Sequence, residues 1–120
     1  SESGEIKLQA NFRFGADKAS NTVAVFSNFT FECAQKPFIV VEVGCHFVIQ
    51  PESWAKLMDE AQNKLVVPVG LVQHLAMLTV GTTRGVLHSK TENTLFNRFF
   101  LPTINVADIL VNDQEFVFAE

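Results

Sequence analysis

The chain has 120 residues, 48% of them hydrophobic and only 18% charged, with a formal net charge of -4. An average soluble domain is about 25% charged, so this composition fits a single domain spanning 1–120 whose apolar surface exceeds what one core can hide, and it points to a homo-oligomer. A pI near 5.3 with no Lys/Arg cluster argues against nucleic acid as a partner and favours basic polypeptides.

The opening SESGEIKLQ has neither a basic end nor an apolar core, so no secretory leader is expected and a cytoplasmic location follows. Ile6, Leu8, Ala10, Phe12 and Phe14 then alternate with Lys7, Gln9, Asn11 and Arg13, the period-2 pattern of a strand with one buried face. A polar segment, Gly15 to Asn21, leads to a second run with Val23, Val25, Phe29, Phe31 and Cys33 on one side. Ser27 is the polar interruption on that side. A third run follows Gln35-Lys36-Pro37 and places Ile39, Val41, Val43, Cys45, Phe47 and Ile49 on one face. These three runs make an antiparallel meander. A three-residue loop at Gln35–Pro37 would set Cys33 opposite Ile39, Phe29 opposite Val43 and Val25 opposite Phe47, which is apolar on apolar. The other face carries Phe26, Asn28, Val40, Glu42 and His46 and is mixed.

Pro51 opens a short helix through ESWAKLMDEAQN, with Trp54, Leu57, Met58 and Ala61 at three and four spacing. A second helix begins near Pro68 and runs through VGLVQHLAMLTVGTTRGVL. The uncharged run Leu65 to Thr83 approaches transmembrane length, but Pro68, Gly70, Gln73, His74 and Thr79 make it too polar to span a bilayer. No membrane segment is expected. Its apolar residues cover far more than the ~100° stripe of a surface helix. Such a helix needs cover on two sides, and the sheet supplies one. A second protomer is the natural source of the other. Asn105 and Asp108 form a capping pair for a last helix, INVADILV, and the tail EFVFAE alternates like a strand.

Sites for chemistry are sparse. His46, His74 and His88 have no i,i+4 spacing and the two cysteines are far apart, so no metal or other cofactor is expected. Cys45 and His46 are neighbours on a strand and point to opposite faces, so they cannot act as nucleophile and base. A Cys33–Cys45 disulfide would have to span roughly 20 Å at ~3.3 Å per residue. GTTRG, from Gly81 to Gly85, lacks the lysine and spacing of a phosphate loop and reads as a helix end in which Arg84 holds carbonyl groups or a carboxylate. Asn28-Phe29-Thr30 matches a glycosylation sequon but lies within a strand. Glu32, Glu42, Asp59 and Glu60 form no general acid/base pair. The chain is not expected to be an enzyme.

The order FIVVEVGCHFVI, then VPVGLVQHLAMLTVGTTRGVL, then FLPTINVADIL, resembles the SecB protein-export chaperone family from about residue 5 to 111. The resemblance implies an α+β fold, an antiparallel sheet with helices on one face, assembled as a dimer or a dimer of dimers. It also implies binding of unfolded or unstructured polypeptide, without cofactor, in apolar grooves near the connection between the two helices. That connection is LFNRFFLPTINV, so Leu95, Phe96, Phe99, Phe100, Leu101 and Pro102 would form the groove. An alternative role for them is to staple the last helix to the core. Val40 and Glu42, with Phe26 beside them, stand where the family docks the translocase motor. The family's first strand has no counterpart before IKLQANFRF, the segment HSKTENT reads as an inserted loop, and EFVFAE would replace the missing edge strand. These departures suggest a chaperone with a dedicated client, such as the relatives that protect antitoxins. Two other readings stand beside it: a carrier enclosing a small apolar ligand between sheet and helix, and a small catalytic domain built around His46 or His74.

Overall fold

A computed structural model describes residues 5–119. The first four residues of the opening segment read for a leader, and the last residue of the EFVFAE tail, lie outside them. The architecture is α+β. Strands β1 (Ile6–Asp17), β2 (Thr22–Cys33) and β3 (Lys36–Val48) form the main antiparallel meander in the order β1-β2-β3. Helix α1 (Pro51–Leu57) leads to a second small sheet of β4 (Met58–Asp59), β5 (Lys64–Val67) and β6 (Gln114–Val117). Helix α2 (Val69–Thr91) lies across the main sheet, and the short α3 (Val106–Ile109) follows it. Among the described residues no helix is long and apolar enough to cross a membrane.

The alternation read in the sequence sets the two faces of the main sheet. Leu8, Ala10, Phe12 and Phe14 of β1 stand opposite Phe31, Phe29, Ser27 and Val25 of β2, and this face packs against α2. Val25 and Phe29 are completely buried there. The β2–β3 register differs from expectation by two residues: Phe29 pairs with Val41 and Val25 with Cys45. The turn holds two residues, Ala34 and Gln35, and both adopt positive φ (54° and 68°), the conformation that suits a two-residue hairpin. Neither is a glycine or asparagine, so the sequence carried no turn signal. A shift of two leaves the side chains from Ile39 to Phe47 on their expected faces.

Three other boundaries move. The first helix stops at Leu57, and Met58 to Asn63 form a strand and turn instead of its continuation. Asn63 has φ 51°, and its amide donates to the Phe118 carbonyl while its own carbonyl accepts from the Phe118 N–H, both at 3.0 Å. The tail therefore strands against β5 in the small sheet and does not replace an edge of the main one. Trp54 is buried and packs on Phe118 with ring centroids 6.3 Å apart. Helix α2 continues past GTTRG to Thr91, so HSKT is its last turn and no inserted loop.

Burial explains the extension of α2. Val72, Leu75, Ala76, Val80, Leu87 and Thr91 all bury on its inner side. Helix α2 also places two threonines against the sheet. Thr83 donates to the Thr79 carbonyl at 2.7 Å, and its oxygen lies 2.6 Å from the Ser27 hydroxyl in the buried interface. With the Thr83 proton so engaged, Ser27 must be the donor. At the helix start, the Val69 N–H donates to the Asp113 carboxylate at 2.8 Å, which satisfies an orphan donor and places negative charge at the positive end of the helix dipole.

The molecule measures 57 × 25 × 24 Å with a radius of gyration of 17.0 Å, against about 14 Å for a compact domain of this length. Its accessible surface is 7645 Å², about 1,200 Å² more than a typical monomer of its mass exposes.

Candidate functional site

At the β2–β3 hairpin end of the sheet, Ile6, Cys33 and Lys36 form one cross-strand row. Just beyond it the ladder slips at Phe31/Glu32, so that Phe38 is the extra residue of a β-bulge on β3. A bulge re-aims the side chain it carries. Phe38 turns to the helix side of the sheet, where it meets Phe99 (5.1 Å between centroids), Phe96 (6.2 Å, stacked) and Phe31 (6.3 Å). Phe99 also sets its edge on Phe31 at 5.9 Å.

The connection between α2 and α3 brings Phe96 and Phe99 there. It is a run of tight turns held at both ends. The Thr94 hydroxyl donates to the Thr91 carbonyl at 2.6 Å, and Thr94 Oγ1 accepts from the Phe96 N–H. Further on, Arg84 donates to the carbonyls of Leu101 (3.3 Å) and Pro102 (2.9 Å). The sequence reading puts Arg84 at a helix end, on the helix carboxyl end or a carboxylate; it lies inside α2 and holds carbonyls of the connection instead.

The connection separates two hollows. The first, of about 530 Å³, is lined by Ile6, Cys33, Phe38, Leu95, Phe96 and Phe99, with Lys36 and Arg98 at its edge. The second, of about 410 Å³, lies along α2 between Met77, Arg84, Phe100, Pro102 and Ile104. The expected groove residues therefore divide. Leu95, Phe96 and Phe99 face the first hollow; Phe100, Leu101 and Pro102 face the second. Leu101 is only 2% exposed and belongs to the core, so it staples the connection while it lines the second hollow. Leu95, by contrast, is 89% exposed and Phe100 68%. The connection is a staple through Phe99 and Leu101 and an apolar lip through Leu95, Phe96 and Phe100. Ile6, Lys36, Phe38 and Arg98 escaped the sequence reading; only the true length of the β2–β3 turn would have placed Lys36 and Phe38 here.

Between sheet and helix the packing closes, and no room for water remains among Phe14, Val25, Val67, Leu75 and Phe116. No enclosed ligand fits at that place.

Val40, Glu42 and Phe26 do share the outer face of the sheet. Val40 is well exposed. Glu42 forms an ion pair with Arg13 and accepts from the Asn28 amide at 3.2 Å. These two contacts, Arg13 foremost, hold its carboxyl below the ordinary 4.5. Phe26 lies flat over Gly44, so close that a Cβ at Gly44 would sit 2.6 Å from the ring, and the Arg13 guanidinium stacks 4.7 Å from its centroid. A basic partner at Glu42 would have to compete with Arg13. His46 rests edge-on against Phe26, and His74 is exposed on α2. Among the described residues no three His, Cys, Asp or Glu side chains cluster to hold a metal ion.

Comparison with known proteins yields no matching family model, curated protein or solved structure.

Proposed function

We propose that this protein binds apolar segments of non-native polypeptide at the lip and hollows around the α2–α3 connection, and acts as an ATP-independent holdase. The observation that carries this reading is the exposure of Leu95, Phe96 and Phe100 beside an open apolar hollow. Burying a side chain of this kind is worth about 1.5–3 kcal/mol, so folding alone would favour tucking them in or replacing them. A surface that takes up apolar segments explains their position. Aromatic walls with few directed polar groups reward buried area over sequence, which suits clients without a fixed motif. The motif order shared with the export chaperones supports the same reading. The test is aggregation of a chemically unfolded client with no nucleotide present: micromolar protein should slow it, and no effect on any unfolded client would remove the proposal.

The working unit in this proposal is an oligomer. The outer flank of α2 exposes Met77 and Leu78 beside Gly81 and Gly85, with no charged side chain from Val69 to Thr83. A standard interface buries about 800 Å² per partner, less than the surplus of about 1,200 Å² that this chain exposes over a typical monomer. A second copy against this flank would account for both. Light scattering should report at least twice the chain mass of 13.3 kDa. A monomer at tens of micromolar would contradict it.

A further inference from the structure

We infer that the first hollow selects apolar segments flanked by acidic residues, with Lys36 and Arg98 receiving carboxylates on either side of a large apolar side chain. This rests on the polypeptide-binding reading and specifies its client. The floor and walls of the hollow are Ile6, Phe38, Leu95, Phe96 and Phe99, and among the described residues the charged side chains lining it are Lys36 and Arg98. They come from different elements, Lys36 from the start of β3 and Arg98 from the connection. Arg98 is held in place over the Phe99 ring, 5.1 Å from its centroid. Among the described residues neither cation pairs with a carboxylate; the ion pairs there are Arg13–Glu42, Lys64–Glu115 and His88–Glu92. Glu5 and Glu32, next in sequence to the lining residues Ile6 and Cys33, instead line an adjoining hollow together with Lys7; the two hollows share Ala34. Glu32 and Lys7 are cross-strand partners there.

The charge of the hollow is thus opposite to that of the whole chain, which is -4. At physiological salt the Debye length is about 8 Å, so a bound segment feels Lys36 and Arg98, which line the hollow, more than acidic side chains farther away. An apolar floor beside the cations lowers the local dielectric and strengthens their pull on a carboxylate. Guanidinium and ammonium groups beside an apolar hollow would penalise a lysine-flanked segment for the same reason. Overall acidity pointed to basic clients; the site itself points the other way.

The experiment uses short, fluorescently labelled, unstructured peptides that share a Leu-Phe centre and differ only in Glu, Gln or Lys flanks. Affinities are read by anisotropy at about 0.15 M salt. The Glu-flanked peptide should bind about fivefold tighter than the Gln-flanked one, as two partly exposed ion pairs would give, and the Lys-flanked peptide should bind weakest. The Lys36→Gln/Arg98→Gln variant should erase that order, so that the Glu-, Gln- and Lys-flanked peptides bind alike. Equal affinities, or a preference for the Lys-flanked peptide, would overturn this inference while leaving polypeptide binding intact. Binding of dodecanoate with no binding of any peptide would overturn both.

Discussion

The two ends of the main sheet use the same kind of residue for opposite purposes. At the β1–β2 hairpin end, Phe14, Val23 and Val25 meet Val67 and Phe116 of the small sheet, and the packing shuts out water. At the β2–β3 end no second sheet arrives among the described residues. A turn-rich connection covers part of Phe31 and Phe38 and leaves Leu95, Phe96 and Phe100 facing outward. The helix α2 ties the two ends together, so a rigid closed end supports an open apolar one. Hydrophobic composition therefore does not by itself mark a core; what marks it is whether another element is available to cover it.

Substitution can test that contrast directly. The largest effect is expected at Phe29, which is completely buried: Phe29→Ala should cost about 3–5 kcal/mol in a denaturant titration. Within the connection the contrast should repeat over adjacent residues. Leu101→Ala should cost about 2–5 kcal/mol, whereas Phe100→Ala should stay within about 0.5 kcal/mol. Equal losses at these two positions would mean that the connection is one packed unit and has no separate lip.

A smaller effect probes the closed side. Ser27→Ala removes a buried donor but leaves Thr83 bonded to the Thr79 carbonyl, for a loss of about 1 kcal/mol. Thr83→Val leaves the Ser27 hydroxyl without its partner and should cost more, about 1–3 kcal/mol. The reverse order would reverse the donor assignment. The smallest effect belongs to the outer face. Because Arg13 and Asn28 hold the Glu42 carboxyl below 4.5, their contribution is fully present above that pH. It is lost as pH falls through the lowered value. Arg13→Gln should bring the Glu42 titration, followed by NMR, back up toward 4.5 and barely move the melting temperature at neutral pH.

Much of the closed side was legible in the sequence. Period-2 alternation from Ile6 to Phe47 fixed which side chains face α2, and that assignment survived a register shift because the shift was an even one. Pro68 and Asn105 marked where helices begin, and the Asn105 side chain does accept from the Ala107 N–H. The small sheet was not legible. Its strands of two and four residues have weak local preference, and they exist because the distant Phe118 and Glu115 segment pairs with Lys64–Val67. The candidate site was half legible. Its aromatic lip stands out in the sequence, but its other wall depends on a bulge at Phe38 and a turn of unremarkable residues, Ala34 and Gln35, in a strained conformation. Local sequence could not show that Leu101 is buried while its neighbour Phe100 stays exposed.

The most direct measurement is a paired one on Leu95→Ser/Phe96→Ser, recording the free energy of unfolding and the ability to keep an unfolded client from aggregating. If these side chains serve binding, stability should fall by less than about 1.5 kcal/mol, the loss of an aromatic stack at most, while holding activity disappears. A variant that unfolds like a core mutant yet still holds its client would contradict the account.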